Sequence, residues 1–219
     1  MNRRITVAFL VALVLALTAN VLSAQPKPAQ NPTQNPKSTY ADLLQRAKKG
    51  DPTLDFKDLR FAYTETADYN PYGDTRDSRQ KMFAALDAKE YDHVRELAET
   101  ILAKNFLDLN GHFGAFIAHR ELGNSQKADL HKFMFEGLVR SIEKSGDGKS
   151  PETAFVVISV DEEYVLLNWR GLRPTGQELV NQNGHSFDLM KAVDSKTNAT
   201  VSYYFNIDKP FDWLGKSLK

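Results

Sequence analysis

The chain contains no cysteine. Disulfides, thiolate metal sites, a cysteine nucleophile and a lipid-carrying cysteine behind a leader are therefore excluded, and stability must come from the core alone. It also lacks an excess of charge of either sign, with 28 Lys and Arg against 28 Asp and Glu. Without a basic surplus to neutralise phosphates and release counterions, nucleic acid and polyanionic surfaces are not expected partners. Core material is present: 42% of the 219 residues are hydrophobic and 11% aromatic, which suits one large or two small domains and argues against disorder throughout.

Residues 1–24 read as a signal peptide. Arg3 and Arg4 form a positive start, Ile5 to Leu17 is a nearly unbroken apolar run, and small residues follow, with cleavage expected after Ala24. Ile5 to Leu22 approaches the roughly 18–20 residues of a spanning helix. The polar Thr18 and Asn20 favour cleavage over retention as an anchor. The membrane is then met only during export, and the mature chain is periplasmic or secreted. Loss of Arg3 and Arg4 leaves 26 basic against 28 acidic residues, a net −2.

Residues 25–37, QPKPAQNPTQNPK, repeat proline among polar residues and form an extended spacer rather than a folded element. Residues 38–144 carry helical signals. Ser38 or Thr39 can cap a helix bearing Tyr40, Leu43, Leu44 and Ala47, ended at Gly50-Asp51-Pro52. Asp55 can cap a second, with Phe56, Leu59, Ala62 and Tyr63 on one stripe. Further stripes hold Tyr91, Val94, Leu97, Ala98, Ile101 and Leu102; then Leu109, Phe113, Phe116 and Ile117; then Leu130, Met134, Leu138 and Ile142. The turns near Lys89 and Gly123 lie 34 residues apart, the tetratricopeptide period, which predicts antiparallel helical hairpins.

Residues 145–151 are a linker, after which residues 152–219 read as β-rich. Phe155 to Val160 and Tyr164 to Trp169 have strand length, and Ser186 to Val193 should pair with the alternating strand around Val201, Tyr203, Phe205 and Ile207. The predicted class is α+β: tetratricopeptide-like helical hairpins, then a small, mainly antiparallel sheet and an exposed tail around Phe211 and Trp213. Three stretches carry a family resemblance: DFKDLRFAYTETADYNPYGD at 55–74, SGDGKSPETAFVVISVDEEYVLL at 145–167, and SFDLMKAVD with VSYYFNID within 186–208. They resemble the bacterial domain-of-unknown-function family numbered 4919. The resemblance implies an exported bacterial protein of one architecture, and no activity, cofactor or catalytic residue.

Gly148-Lys149-Ser150 lacks the glycine that a phosphate loop needs five residues upstream, where Glu143 stands, and 145–152 lacks the ligand spacing of a calcium loop. His112 and His119 share a helix face without a third ligand, so they read as surface histidines; no metal or cofactor is expected. Asp161-Glu162-Glu163 reads as a solvated turn between strands. Arg120 falls within the apolar stripe of its helix, so it is expected buried against Glu96, Glu99 or Glu136, with a ligand groove as the alternative. Tyr63, Tyr69 and Tyr72 with Asn70 and Asp74 form an aromatic-polar loop, the best candidate recognition surface together with Arg120. The leading reading is a non-enzymatic module that binds a protein or peptide in the cell envelope. The alternatives are an envelope hydrolase using acids such as Glu162 or Glu163 with His185, or a small-ligand carrier. Mass spectrometry of protein recovered from periplasm or medium is expected to find a chain starting near Gln25; a chain retaining Met1 in the cytoplasm would contradict the leader.

Overall fold

The computed structural model describes residues 38–73 and 75–218. The leader, the spacer, Asp74 and Lys219 lie outside the described residues. Helices begin where side chains can cap them. Thr39 Oγ1 accepts from the N–H of Asp42 at 3.2 Å, and the Asp42 carboxylate accepts from the Thr39 N–H, a capping box heading α1 (Tyr40–Lys48). Asp55 caps α2 (Phe56–Thr64) by accepting from the N–H groups of Lys57 and Asp58. Then come α3 (Arg76–Asp87), α4 (Tyr91–Lys104), α5 (Leu109–Glu121) and α6 (Ser125–Glu143). Short turns join α3 through α6, whose sequence neighbours pack on one another, while α2 packs on α1 and α6, and the helices run mostly antiparallel. α4 and α6 begin 34 residues apart, so the hairpin period read from the turns is also the period of the helices.

α5 departs from its expected face. The stripe Leu109, Phe113, Phe116, Ile117 is buried only at Leu109, whereas Gly111, His112, Gly114, Ala115, Ala118 and His119 are buried. The helix lies between α4 and α6 and also touches α3, so small residues decide the contact, because they let the backbones come close. A Cβ at Gly114 would collide with the Met82 side chain. A helix pressed from several sides has no single apolar stripe, and projecting one misplaces its polar residues.

After a short 3₁₀ turn the chain forms β1 (Phe155–Val156), α7 (Val160–Trp169), β2 (Leu172–Gln182), β3 (His185–Asp194), β4 (Thr200–Asn206) and α8 (Asp208–Ser217). The sheet order is β1-β4-β3-β2, with β1 parallel to β4 and the other pairs antiparallel. The β3–β4 hairpin forms where expected, its turn held by the Asp194 carboxylate on the N–H groups of Lys196 and Thr197. Two expectations are corrected, and one strand was not foreseen. Tyr164 to Trp169 is helical: α7 packs against α5, α6 and β2, and a short apolar run buried on several sides fits helix or strand equally. The strand from Phe155 ends after Val156, because the Ile158 N–H is taken by Glu162 Oε2 at 2.8 Å rather than by a ladder. β2 gave no strand signal because it is a mostly exposed edge carrying Pro174 and Gly176, with a register shift between them. The tail is also ordered, as α8, with Pro210 tolerated in its first turn.

One hydrophobic cluster runs from Leu43 and Leu59 through Met134, Leu138 and Ile142 to Leu166, Met190 and Phe205, so the helical and β-rich regions share a core. A smaller one, centred on Met82, Val94, Ala98 and Ile101, fills the space among α3, α4 and α5. The buried arginine is Arg60, not Arg120. Arg120 lies on the open side of α5, its side chain half exposed, paired with its neighbour Glu121 at 2.7 Å and set over the Phe116 ring. Arg60 is 1% exposed, and its guanidinium donates to Glu162 Oε1 at 3.0 Å and Oε2 at 2.6 Å, to Ser141 Oγ at 3.1 Å and to the Val156 carbonyl at 2.9 Å. Removing one partner of such a pair strands a buried charge. Arg60→Ala is expected to lower unfolding free energy by about 3–5 kcal/mol, and Arg120→Ala by less than about 0.5 kcal/mol, measured by chemical denaturation; equal losses would contradict the assignment.

Candidate functional site

The run Asp161-Glu162-Glu163 is the first turn of α7, not a solvated turn between strands, and each acid engages a different element. Carboxylates favour a helix N-terminus, where N–H groups lack helical partners. Asp161 pairs with Arg79 of α3, which also lies 3.6 Å from Asp108, the N-cap of α5. Glu162 holds Arg60 of α2. Glu163 is fully buried, and no N–H or hydroxyl donor among the described residues reaches either of its oxygens. Its close neighbour is Asp188 of β3, which accepts from Gln177 Nε2 at 2.6 Å. Burial, then the charges of Asp188 and Glu162, push the Glu163 carboxyl well above its ordinary range, and its contact with Asp188 favours the neutral form. Such a pair could do acid–base work, but Glu163 is sealed from solvent.

The Arg60–Glu162 pair stands between two clefts. Glu162 lines one of ≈ 490 Å³, together with Tyr63, Asn70, Asp108 and Asp161. The acids there are already bonded: Asp108 to the Gly111 N–H and near Arg79, Asp161 to Arg79, Glu162 to Arg60. Burial raises the Asp108 carboxyl in spite of those contacts. Arg60 lines the other, a groove of ≈ 760 Å³ between α2 and α6. Its walls carry the part-exposed rings of Phe56, Phe61 and Phe133. Phe56 and Phe133 meet edge to face at 5.2 Å, and the Phe56 ring lies so close to Gly137 that a Cβ there would collide with it.

The aromatic-polar loop is a fastening. Tyr63 and Tyr69 are buried, ring against ring at 5.5 Å; the Tyr69 hydroxyl donates to the Ile158 carbonyl at 2.7 Å and that of Tyr63 to the Asp68 carbonyl at 3.1 Å. Asn70 Oδ1 accepts from the N–H groups of Tyr72 and Gly73 and shapes the turn. Tyr72 is half exposed, its ring 5.8 Å from that of Trp213. Tyr63 and Asn70 border the smaller cleft, Arg120 borders neither, and Asp74 lies outside the described residues. His185 Nδ1 donates to Asp208 Oδ2 at 2.6 Å, and His185 lines neither cleft.

His112 and His119 are not on the surface as read from sequence. Both are buried between α5 and its neighbours and gather round His131 of α6. The Phe106 carbonyl can only accept, so His112 Nε2 carries the proton that bridges them at 2.7 Å. His112 Nδ1 therefore accepts from His131 Nδ1–H at 2.9 Å, and both rings are neutral. Burial lowers His112 to about 3 and His131 to about 4. Among the described residues no group of three or more His, Asp or Glu could hold a metal ion. The helix-face spacing of His112 and His119 was visible in the sequence; their burial was not, because the α5 stripe pointed elsewhere.

These features define an α+β protein with helical hairpins closed by a four-stranded mixed sheet. A family model described as domain of unknown function (DUF4919) matches residues 29–214, and the chain belongs to that family. No curated protein and no solved structure matches it. Histidines held neutral in the fold but charged when unfolded cost stability as pH falls below the unfolded pKa of 6.5 toward their folded values. For His112 alone the loss between pH 7 and pH 5 is about 2 kcal/mol, and denaturation of His112→Gln is expected to show a shallower acid limb. Glu163 acts in the opposite sense: its stabilisation is complete below pH 4.5 and declines as pH rises toward its raised folded pKa, so Glu163→Gln should flatten the alkaline limb. Unchanged pH profiles in both variants would contradict these protonation states.

Proposed function

We propose that the chain is an exported, non-enzymatic module of the cell envelope that binds a protein or peptide partner in the groove between α2 and α6. One observation carries this reading: three part-exposed phenylalanines, Phe56, Phe61 and Phe133, line a groove whose base is held rigid by the hydrogen-bonded Arg60. Its volume of ≈ 760 Å³ falls in the range of ligand-sized sites. A groove with preset walls costs little conformational entropy on binding. Export is supported by the leader pattern of residues 1–24. Among the described residues no helix is long and apolar enough to cross a membrane.

The hydrolase reading would need Glu162 or Glu163 and His185 around one cavity. Glu162 is engaged by Arg60, Glu163 is sealed, and His185 is held by Asp208 on the exposed end of β3. The binding reading is tested by selecting peptides from a random displayed library on the immobilised mature chain, then mapping them by amide hydrogen exchange. Selected peptides are expected to slow exchange in residues 56–61 and 133–144. Protection confined to the smaller cleft beside Asp68 and Asn70, or no enrichment at all, would contradict the groove.

A further inference from the structure

The groove is not electrically neutral in what it offers a partner. Along α6 and its C-cap the lining passes through Phe133, Glu136, Gly137, Arg140, Ser141 and Lys144, in steps of three and one that keep to one helix face. That face covers about 16 Å at 1.5 Å per residue, room for roughly five extended residues. α2 contributes Phe56, Lys57, Arg60 and Phe61. Both carboxylates of the lining are engaged within the fold. Asp55 caps α2, and Glu136 holds Arg140 at 2.8 Å and Lys132 at 4.0 Å. The buried Arg60 guanidinium is satisfied by Glu162, Ser141 and the Val156 carbonyl. Lys57 and Lys144 are exposed and have no ion-pair partner among the described residues, and Arg140 is 67% exposed, so its charge faces solvent as well as Glu136.

Resting on the reading of this groove as a docking site, we infer that its occupant is an acidic peptide segment of a partner protein, with one bulky apolar residue. The apolar side chain seats beside Phe56 and Phe133, where rings already meet edge to face and one more apolar group loses water without stranding a polar atom. The carboxylates face Lys57, Arg140 and Lys144. A basic segment is disfavoured there, since the acids it would need are already bonded. Charge of this kind sets partner choice and encounter rate, while the aromatic anchor sets the lifetime of the complex.

The test uses the mature chain and three labelled peptides of equal length, each with one phenylalanine: one rich in Asp and Glu, its Asn and Gln counterpart, and a Lys counterpart. Binding is followed by fluorescence anisotropy up to millimolar concentration, and its place by hydrogen exchange. The acidic peptide is expected to bind at least tenfold more tightly than the amide peptide, and more weakly as salt rises. Lys57→Glu/Lys144→Glu is expected to lose that preference with an unchanged unfolding midpoint, since both side chains are exposed. Equal binding of acidic and amide peptides, mapped to residues 56–61 and 133–144, would overturn the acidic preference and leave the groove standing. Binding of none of the three in the groove would overturn both, as would binding to phosphatidylglycerol vesicles in preference to every peptide.

Discussion

A charge buried in an apolar core must be answered on every side, and in this fold that charge is Arg60. Its fork is met by both oxygens of Glu162, by Ser141 on α6 and by the carbonyl of Val156 in β1, while Glu162 also takes the N–H of Ile158. One side chain of α2 thereby fixes α6, the first strand and the start of α7. Residues 60 and 162 are far apart in sequence, so the contact also binds the helical region to the β-rich one across the shared core. A pair of this kind is demanding rather than intrinsically stabilising: desolvation offsets much of its attraction, and its use is to permit one arrangement and penalise the others.

The acids beside Glu162 extend the same logic. Asp161 reaches α3 through Arg79, and Glu163 lies against Asp188 on the sheet. Three successive residues at one helix start thus face three different elements, which the 100° step of a helix allows and the alternation of a strand does not. The two clefts lie on either side of this junction, one bordered by Glu162 and the other by Arg60. The groove inherits a rigid base from the junction and its chemistry from the Phe and Lys side chains above it.

Much of this was legible in the residues. Thr39 and Asp55 announce helix starts by chemistry that acts within three residues, and the β3–β4 hairpin announces itself through alternation and the turn at Asp194. What escaped is non-local. Arg60 sits within a sequence stripe of mixed polarity, and its partner is a hundred residues away. Arg120 looked buried only because α5 was credited with one apolar face, when its Gly and Ala residues carry the packing. The run from Tyr164 to Trp169 has strand length, and only the acids before it, read as a helix N-terminus, distinguish the helix that forms. The groove was hidden for a related reason: Phe56 reads as a core member of its helix and Phe133 lies off the stripe of Leu130, Met134, Leu138 and Ile142, and only their meeting beside Gly137 makes them a wall. The tyrosine loop drew attention because its residues are distinctive; they are distinctive because they fasten the loop to the core.

The central claim is that Arg60 and Glu162 act as one unit. A double-mutant cycle of Arg60→Met, Glu162→Met and the double variant, followed by urea denaturation, measures this directly. The expected result is a coupling of about 2 kcal/mol or more, with the double variant more stable than either single one, because the apolar pair leaves no stranded charge. A coupling below about 0.5 kcal/mol, with the two single losses simply adding, would contradict it.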